Sequence, residues 1–226
     1  MLESAGRCVT VAILMLALGP ACAGDLQLKV TGPDGKPVAE VVATATARQA
    51  VAAPVSAAAK SRERTTAVMD QQNKTFVPQV LVIGRGTWVE FPNNDSVSHQ
   101  VYSFSPPKRF QLPLYKGEVH SPLQFDRPGL VVLGCNIHDA MVGYIYVADT
   151  PYFGKTDGAG MLRLKDLPRG RYLVSIWSPR IADDGAVLSQ EVELDAPGPA
   201  TVEFKLRQSL RSAPQPRPHP NNWDAY

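Results

Sequence analysis

The chain has 226 residues, with 23 Lys+Arg against 21 Asp+Glu and 44% hydrophobic residues. That length allows one large or two small domains. With no like-charge run longer than two residues, it lacks the clustered basic face that nucleic-acid docking needs. Twenty prolines and 17 glycines imply many turns and few long helices, and three cysteines are too few for a disulfide scaffold.

Residues 1–23 read as a secretory signal peptide. Arg7 supplies a positive start, and Val9 to Leu18 is an apolar run of ten. Such a run is too short to cross a bilayer core of roughly 30 Å as a helix. Gly19-Pro20 breaks it, and Ala21-Cys22-Ala23 fits a small-x-small cleavage pattern, with the cut after Ala23. An uncleaved anchor or lipidation at Cys22 are the alternatives. No later stretch is apolar enough to span a membrane. The mature chain is expected to be extracytoplasmic, and the signal looks bacterial.

The rest reads as all-β. Leu26 to Val30 alternates and ends at the turn Thr31-Gly-Pro-Asp-Gly35, and Val38 to Ala45 resumes. Residues 49–66 are Ala-rich and then charged, and are read as a linker. Phe76 to Ile83, Thr87 to Phe91, His99 to Phe104, Leu130 to Leu133 and Val142 to Val147 read as strands between turn residues. Residues 112–125 are less regular, with room for one short strand. Met161 to Leu164, Arg171 to Ser178, Val187 to Leu194 and Thr201 to Leu206 are further strands. The Pro-rich, polar tail 207–226 is expected to be disordered.

Signal cleavage removes Cys8 and Cys22 and leaves Cys135 alone. A single cysteine in an oxidising compartment is a buried thiol, an intermolecular bridge or a metal ligand. Its neighbours favour the last. Cys135, His138 and Met141 follow in the order C-x2-H-x2-M, between one strand and the next. A short loop there can aim a thiolate, an imidazole and a thioether at one point. These are three of the four groups of a blue-copper site. A second imidazole must come from elsewhere. His219 lies in the tail, His99 follows a turn and opens a strand, and His120 sits in the irregular segment as the fallback. Zinc fits less well, because structural zinc wants four strong ligands and thioether is not one.

These residues resemble the cupredoxin family. Phe76-x-Pro78, Gly86-x-x-Val89-x-Phe91-x-Asn93-x-Asp95 and His99-x-Val101 are similar to the amino-terminal half of a cupredoxin. Pro128-Gly129, Cys135, His138, Met141, Gly143 and Val147 are similar to its carboxy-terminal half, with the ligand-loop spacing of amicyanin. Met69 to Gln71, Tyr102 to Pro106 and Gly134 to His138 also resemble stretches of bacterial periplasmic cupredoxin-domain proteins labelled methylamine utilization protein. The resemblance covers 67–148. It implies one type 1 copper per chain, held by His99, Cys135 and His138 in a near-trigonal plane with Met141 as a long axial ligand. It also implies that Asn93 ties the two ligand loops together. Gln100 stands where Asn is usual, and its backbone N–H can still donate to the thiolate. Asp139 puts a carboxylate beside the ligand that usually reaches the surface.

Thr156-Asp-Gly-Ala-Gly160 and Leu167-Pro-x-Gly170-Arg-Tyr172-x-Val174 resemble a bacterial transthyretin-like or carboxypeptidase-regulatory-like β-sandwich. Its first hairpin would be 25–48, with Asp34-Gly-Lys-Pro-Val38 at the turn, and 152–206 would supply the rest. The expected architecture is therefore a cupredoxin Greek-key β-sandwich inserted into, or adjacent to, a second sandwich. No histidine falls in that second sandwich, so a scaffold or docking role is expected of it and no hydrolase chemistry.

The implied function is a periplasmic one-electron carrier, not an enzyme, working with a periplasmic redox partner protein. No His-x-His pair exists for the second copper centre of an oxidase or nitrite reductase. Metal delivery or sensing is the alternative, disfavoured by sparse Met and His. An extracytoplasmic scaffold is the third.

Overall fold

The computed structural model describes residues 24–48, 65–117, 120–181, 188–195 and 198–212. The signal peptide, residues 49–64 of the linker and the tail from 213 onward lie outside the described residues.

The described chain is all-β. Two strands come first: β1 (Gly24–Thr31) and β2 (Val42–Ala47). A central group follows: β3 (Thr66–Val68), β4 (Asp70–Gln72), β5 (Thr75–Val77), β6 (Val80–Gly84), β7 (Thr87–Glu90), β8 (Val101–Ser103), β9 (Phe110–Gln111), β10 (Leu123–Phe125), β11 (Gly129–Cys135) and β12 (Val142–Ala148). The last group is β13 (Phe153–Lys155), β14 (Met161–Leu167), β15 (Gly170–Trp177), β16 (Leu188–Leu194) and β17 (Ala200–Lys205).

Pairing separates these into two sandwiches. Strand β1 lies between β14 and β17, and β2 lies between β13 and β15, with β16 on the outer side of β15. The first and last groups therefore share their sheets. Leu26, Leu28 and Val30 alternate inward from β1 and are fully buried, as the two-residue period of a strand dictates. They meet Ala43, Ala45, Val174 and Ile176 from the other sheet. Ala45 N–H donates to the Tyr152 carbonyl at 2.8 Å, so the chain leaves and re-enters this sandwich at adjacent points.

The central group makes its own core. One sheet runs β6-β12-β11-β8-β9 and the facing one β10-β7-β3, with β4 and β5 as a separate hairpin. Ile83, Val131, Leu133, Ile145 and Val147 meet Val89, Phe91 and Phe125 across the gap. The two sandwiches stack. Val42 and Trp177 point away from the first core and pack on Val80, Val82, Leu130, Tyr144 and Tyr146, the outer face of the five-stranded sheet. The Trp177 ring lies 5.6 Å from that of Tyr144 and 5.8 Å from that of Tyr146. The molecule is thus four sheets deep, with three apolar layers between them.

Several boundaries differ from the sequence reading. The run 76–83 is two strands, because Pro78 has no N–H to give a ladder. Strand β8 starts at Val101, and His99 is held just before it by a two-way backbone pair with Tyr115. The irregular segment supplies β10. Residues 207–212, assigned to the tail, stay on the body: Leu210 packs against the first core, and Arg211 N–H donates to the Arg180 carbonyl at 2.7 Å.

Two outcomes test this packing. A Cβ on Gly143 would stand 2.8 Å from both Cβ and Cγ of Phe76, atoms near the backbone that cannot swing aside. Gly143→Ala is expected to cost about 1–3 kcal/mol of stability in a urea melt. Deleting 66–149, so that residues 48–65 close onto Thr150, should leave a folded, destabilised sandwich with Trp177 exposed. Cooperative thermal unfolding with red-shifted Trp emission is the expected record, and a chain without a cooperative transition would contradict it.

Candidate metal centre

The centre sits at one end of the five-stranded sheet, where register brings two distant segments together. Strand β11 runs antiparallel to β8, with Gly134 opposite Tyr102 and Cys135 opposite Val101. One step further, Asn136 N–H donates to the Gln100 carbonyl at 3.2 Å. Side chains alternate along a strand, so Cys135, Val101 and His99 all face the core. Cys135 is 3% exposed and His99 fully buried. The loop from Asn136 to Met141 then turns back: Met141 N–H donates to the His138 carbonyl at 2.8 Å. That turn returns His138 over Cys135 and sinks Met141 into the same core cluster as Cys135.

Three donor atoms converge. Cys135 Sγ lies 3.6 Å from His99 Nδ1 and 3.7 Å from His138 Nδ1, and the two Nδ1 atoms are 3.2 Å apart. A circle through the three has a radius of about 2.0 Å, the length of a bond from imidazole nitrogen to a divalent transition metal and a little short of one from thiolate. Among the described residues these three form the one group of this kind. The donor set fits copper by its chemistry, two imidazoles and a thiolate around one centre with a buried thioether on the same loop. His99 is enclosed, whereas His138 is half-buried and lies next to Ile137, which is 44% exposed.

The surroundings make the Cys135 thiol easier to ionise. Burial pushes the Cys135 thiol up, but His99 and the backbone N–H groups of Gln100 and Ile137 outweigh it and hold the thiol below its ordinary value. His99 moves the other way. Burial would lower it, and Cys135 and Asp95 raise it. The Gln100 group that acts on the sulfur is its backbone N–H.

Other assigned residues fall differently. His120 stands outside the group, edge-on to the Tyr115 ring at 4.4 Å between centroids. Asn93 is buried, but its amide donates to the carbonyls of Val97 at 3.0 Å and Tyr115 at 2.8 Å. It ties the His99 loop to the Tyr115 segment, not to the loop of Cys135, because the Tyr115 backbone is what flanks His99 here. Asp139 is exposed at the tip of the ligand loop.

Two features were missed. Asp95 Oδ2 lies 2.9 Å from His99 Nε2, with the Asp95 side chain only 6% exposed. The signal was a carboxylate four residues before the histidine in a turn. Beneath the loop, Gln71 is fully buried and donates to the Pro92 carbonyl at 2.9 Å, while Tyr115 Oη donates to the Phe91 carbonyl at 2.7 Å. Burial pushes the Tyr115 phenol up to about 12, so it stays neutral. No local pattern reveals that pair.

No protein-family model matches the chain, and no curated protein matches it. Solved structures do. A copper-containing nitrite reductase from Thermus scotoductus SA-01 is 32% identical over 44% of this chain, with a TM-score of 0.37. The match spans only 26% of that reductase's length. A purple cupredoxin from Nitrosopumilus maritimus is 25% identical over 37% of this chain and 99% of its own, with a TM-score of 0.32. An amicyanin variant in its reduced state is 24% identical over 46% of this chain and 99% of its own, with a TM-score of 0.34.

The loop's acid sensitivity follows from two carboxylates. Burial would raise both Asp70 and Asp95 above the ordinary 3.8. Hydrogen bonds from Asn94, Gln72 and the Gln71 N–H to the first, and from the Lys74 N–H, His99 and the Ser96 N–H to the second, lower them instead. A depressed carboxylate contributes stability in full above its unfolded pKa and loses it as pH falls through the folded one. As pH falls from about 5 through the folded values of these carboxylates, the metal-free chain should therefore lose stability. Asp70→Asn should lose less over that span in urea melts, and an equal loss in both would contradict the assignment.

Proposed function

We propose that the chain is a periplasmic cupredoxin-type one-electron carrier. The convergence of His99 Nδ1, Cys135 Sγ and His138 Nδ1 around one point supports this most directly. His99, Cys135 and His138 would hold one copper ion, with the Met141 thioether as a weak fourth group. Copper in such a set would supply a one-electron couple whose potential the thioether and the thiolate's hydrogen bonds tune.

The chain's own residues account for the rest. Gln100 and Ile137 aim N–H groups at the Cys135 sulfur and spread its charge. Strands β8 and β11 hold His99 and Cys135 at fixed separation, so little rearranges when charge changes. His138 is the ligand that reaches toward solvent, and exposed Ile137 beside it offers an apolar contact to a redox partner protein. The second sandwich, transthyretin-like in its turn motifs, serves as a scaffold on the outer face of the five-stranded sheet, opposite the central group's own core. No helix among the described residues is long and apolar enough to cross a membrane.

Copper loading tests the reading. One equivalent should give an intense thiolate-to-copper visible band and a narrow copper hyperfine splitting in EPR. Cys135→Ala should abolish the band, and His99→Ala should abolish it while His120→Ala leaves it. Met141→Leu should keep copper bound and shift the reduction potential. A colourless parent protein, or a band lost with His120 and kept without His99, would overturn the assignment.

A further inference from the structure

Resting on the copper reading above, we propose that Asp95 is the positioning residue of the site: it fixes His99 with its proton on Nε2 and its lone pair on Nδ1, aimed at the metal position. A carboxylate can only accept hydrogen bonds, so the 2.9 Å contact between Asp95 Oδ2 and His99 Nε2 puts the proton on Nε2. Nδ1 is then free to donate its lone pair, and Nδ1 is the atom that faces Cys135 and His138. An imidazole whose far N–H meets a carboxylate is held in one orientation and is a stronger donor to metal.

Asp95 is itself held on all sides. Its Oδ2 also accepts the Lys74 N–H at 2.6 Å, its Oδ1 accepts the Ser96 N–H at 2.6 Å, and its own N–H donates to Asn93 Oδ1 at 3.0 Å. The Lys74 contact comes from an unusual turn. Asn73 and Lys74 are both left-handed, with φ of 51° and 56°, between β4 and β5. Two such residues in a row make the tight hairpin turn whose twist matches its strands. A lysine there is disfavoured, and the turn points its N–H at the carboxylate. The β4–β5 turn, Asp95 and His99 therefore form one chain of contacts ending at the metal position. His138, on the open loop, is left as the adjustable ligand.

The negative charge has a consequence. A carboxylate paired with a ligand's N–H favours the more positive oxidation state, so Asp95 should hold Cu(II) more tightly than Cu(I) by comparison with a neutral residue. Asp95→Asn keeps the shape and an acceptor oxygen and removes the charge. Asp70→Asn is the control, since Asp70 anchors Gln71, Gln72 and Asn94 in the same loop and contacts no ligand.

The test uses the full mature chain. Cu(II) affinity by competition titration should fall 10–100-fold in Asp95→Asn, the usual effect of losing such a partner. Cu(I) affinity should fall less, and each tenfold difference raises the potential by about 59 mV. Asp70→Asn should lower the melting temperature and leave the potential in place. Equal potentials in Asp95→Asn and the parent, or equal shifts in both variants, would show a merely structural role and overturn the proposal. Nitrogen-15 NMR of His99 in the metal-free protein, at alkaline pH where the ring is neutral, separates this from the copper reading. Nε2–H in the parent supports the positioning role even if no blue band forms. Nδ1–H in the parent overturns it whatever the metal does.

Discussion

The antiparallel pairing of β8 with β11 is the constraint on which the site depends. It sets Val101 opposite Cys135 and carries His99 to the core side of the same sheet end. The two residues are 36 apart in sequence, yet their donor atoms lie 3.6 Å apart. A one-residue slip in that ladder would turn every side chain of β8 to the other face. His99 would then point away from the thiolate. Dense packing on the core side, with Val101, Leu133 and Val131 all buried, is what holds the register.

Placing a thiol and an imidazole in an apolar core is expensive unless each finds partners. Here the partners are arranged in shells. Two backbone N–H groups and His99 serve the sulfur. Asp95 serves the far nitrogen of His99, and Lys74, Ser96 and Asn93 serve Asp95. Asp70, Gln71 and Tyr115 satisfy the carbonyls and amides of the surrounding loop. The polar groups form one network between the β4–β5 hairpin and the strand ends.

The second sandwich bears on the site through the sheet. Val42 and Trp177 cover the outer face of β6 and β12, while the inner face of those strands builds the core beneath Cys135. A sheet buried on both faces bends less than one wetted on one side. At the centre's end of that sheet the outer face is less covered, and Phe104 is 71% exposed. Burial is therefore graded, from the junction of the two sandwiches to the ligand loop.

Local chemistry made much of this legible. The C-x2-H-x2-M spacing marked Cys135, His138 and Met141, because one tight loop returns such residues to one place. Alternation marked β1, β11 and β12, because each has one face in a core. Pro78 within the run 76–83 was a visible break, since proline cannot complete a ladder. Asp95, Gln71 and Tyr115 were not legible as partners, and Asn93 was given the wrong one. Their roles depend on which backbone lies beside His99, and that is Tyr115, brought there by chain crossing over rather than by spacing. His99 was legible ahead of His120, because it follows a turn just before a strand. Sequence by itself determined which side chains could ligate and which segments could be strands, because residue type and period are local properties. Tertiary structure alone decided how closely the donor atoms of His99, Cys135 and His138 approach and which backbone flanks His99, because both follow from pairings between segments far apart in the chain.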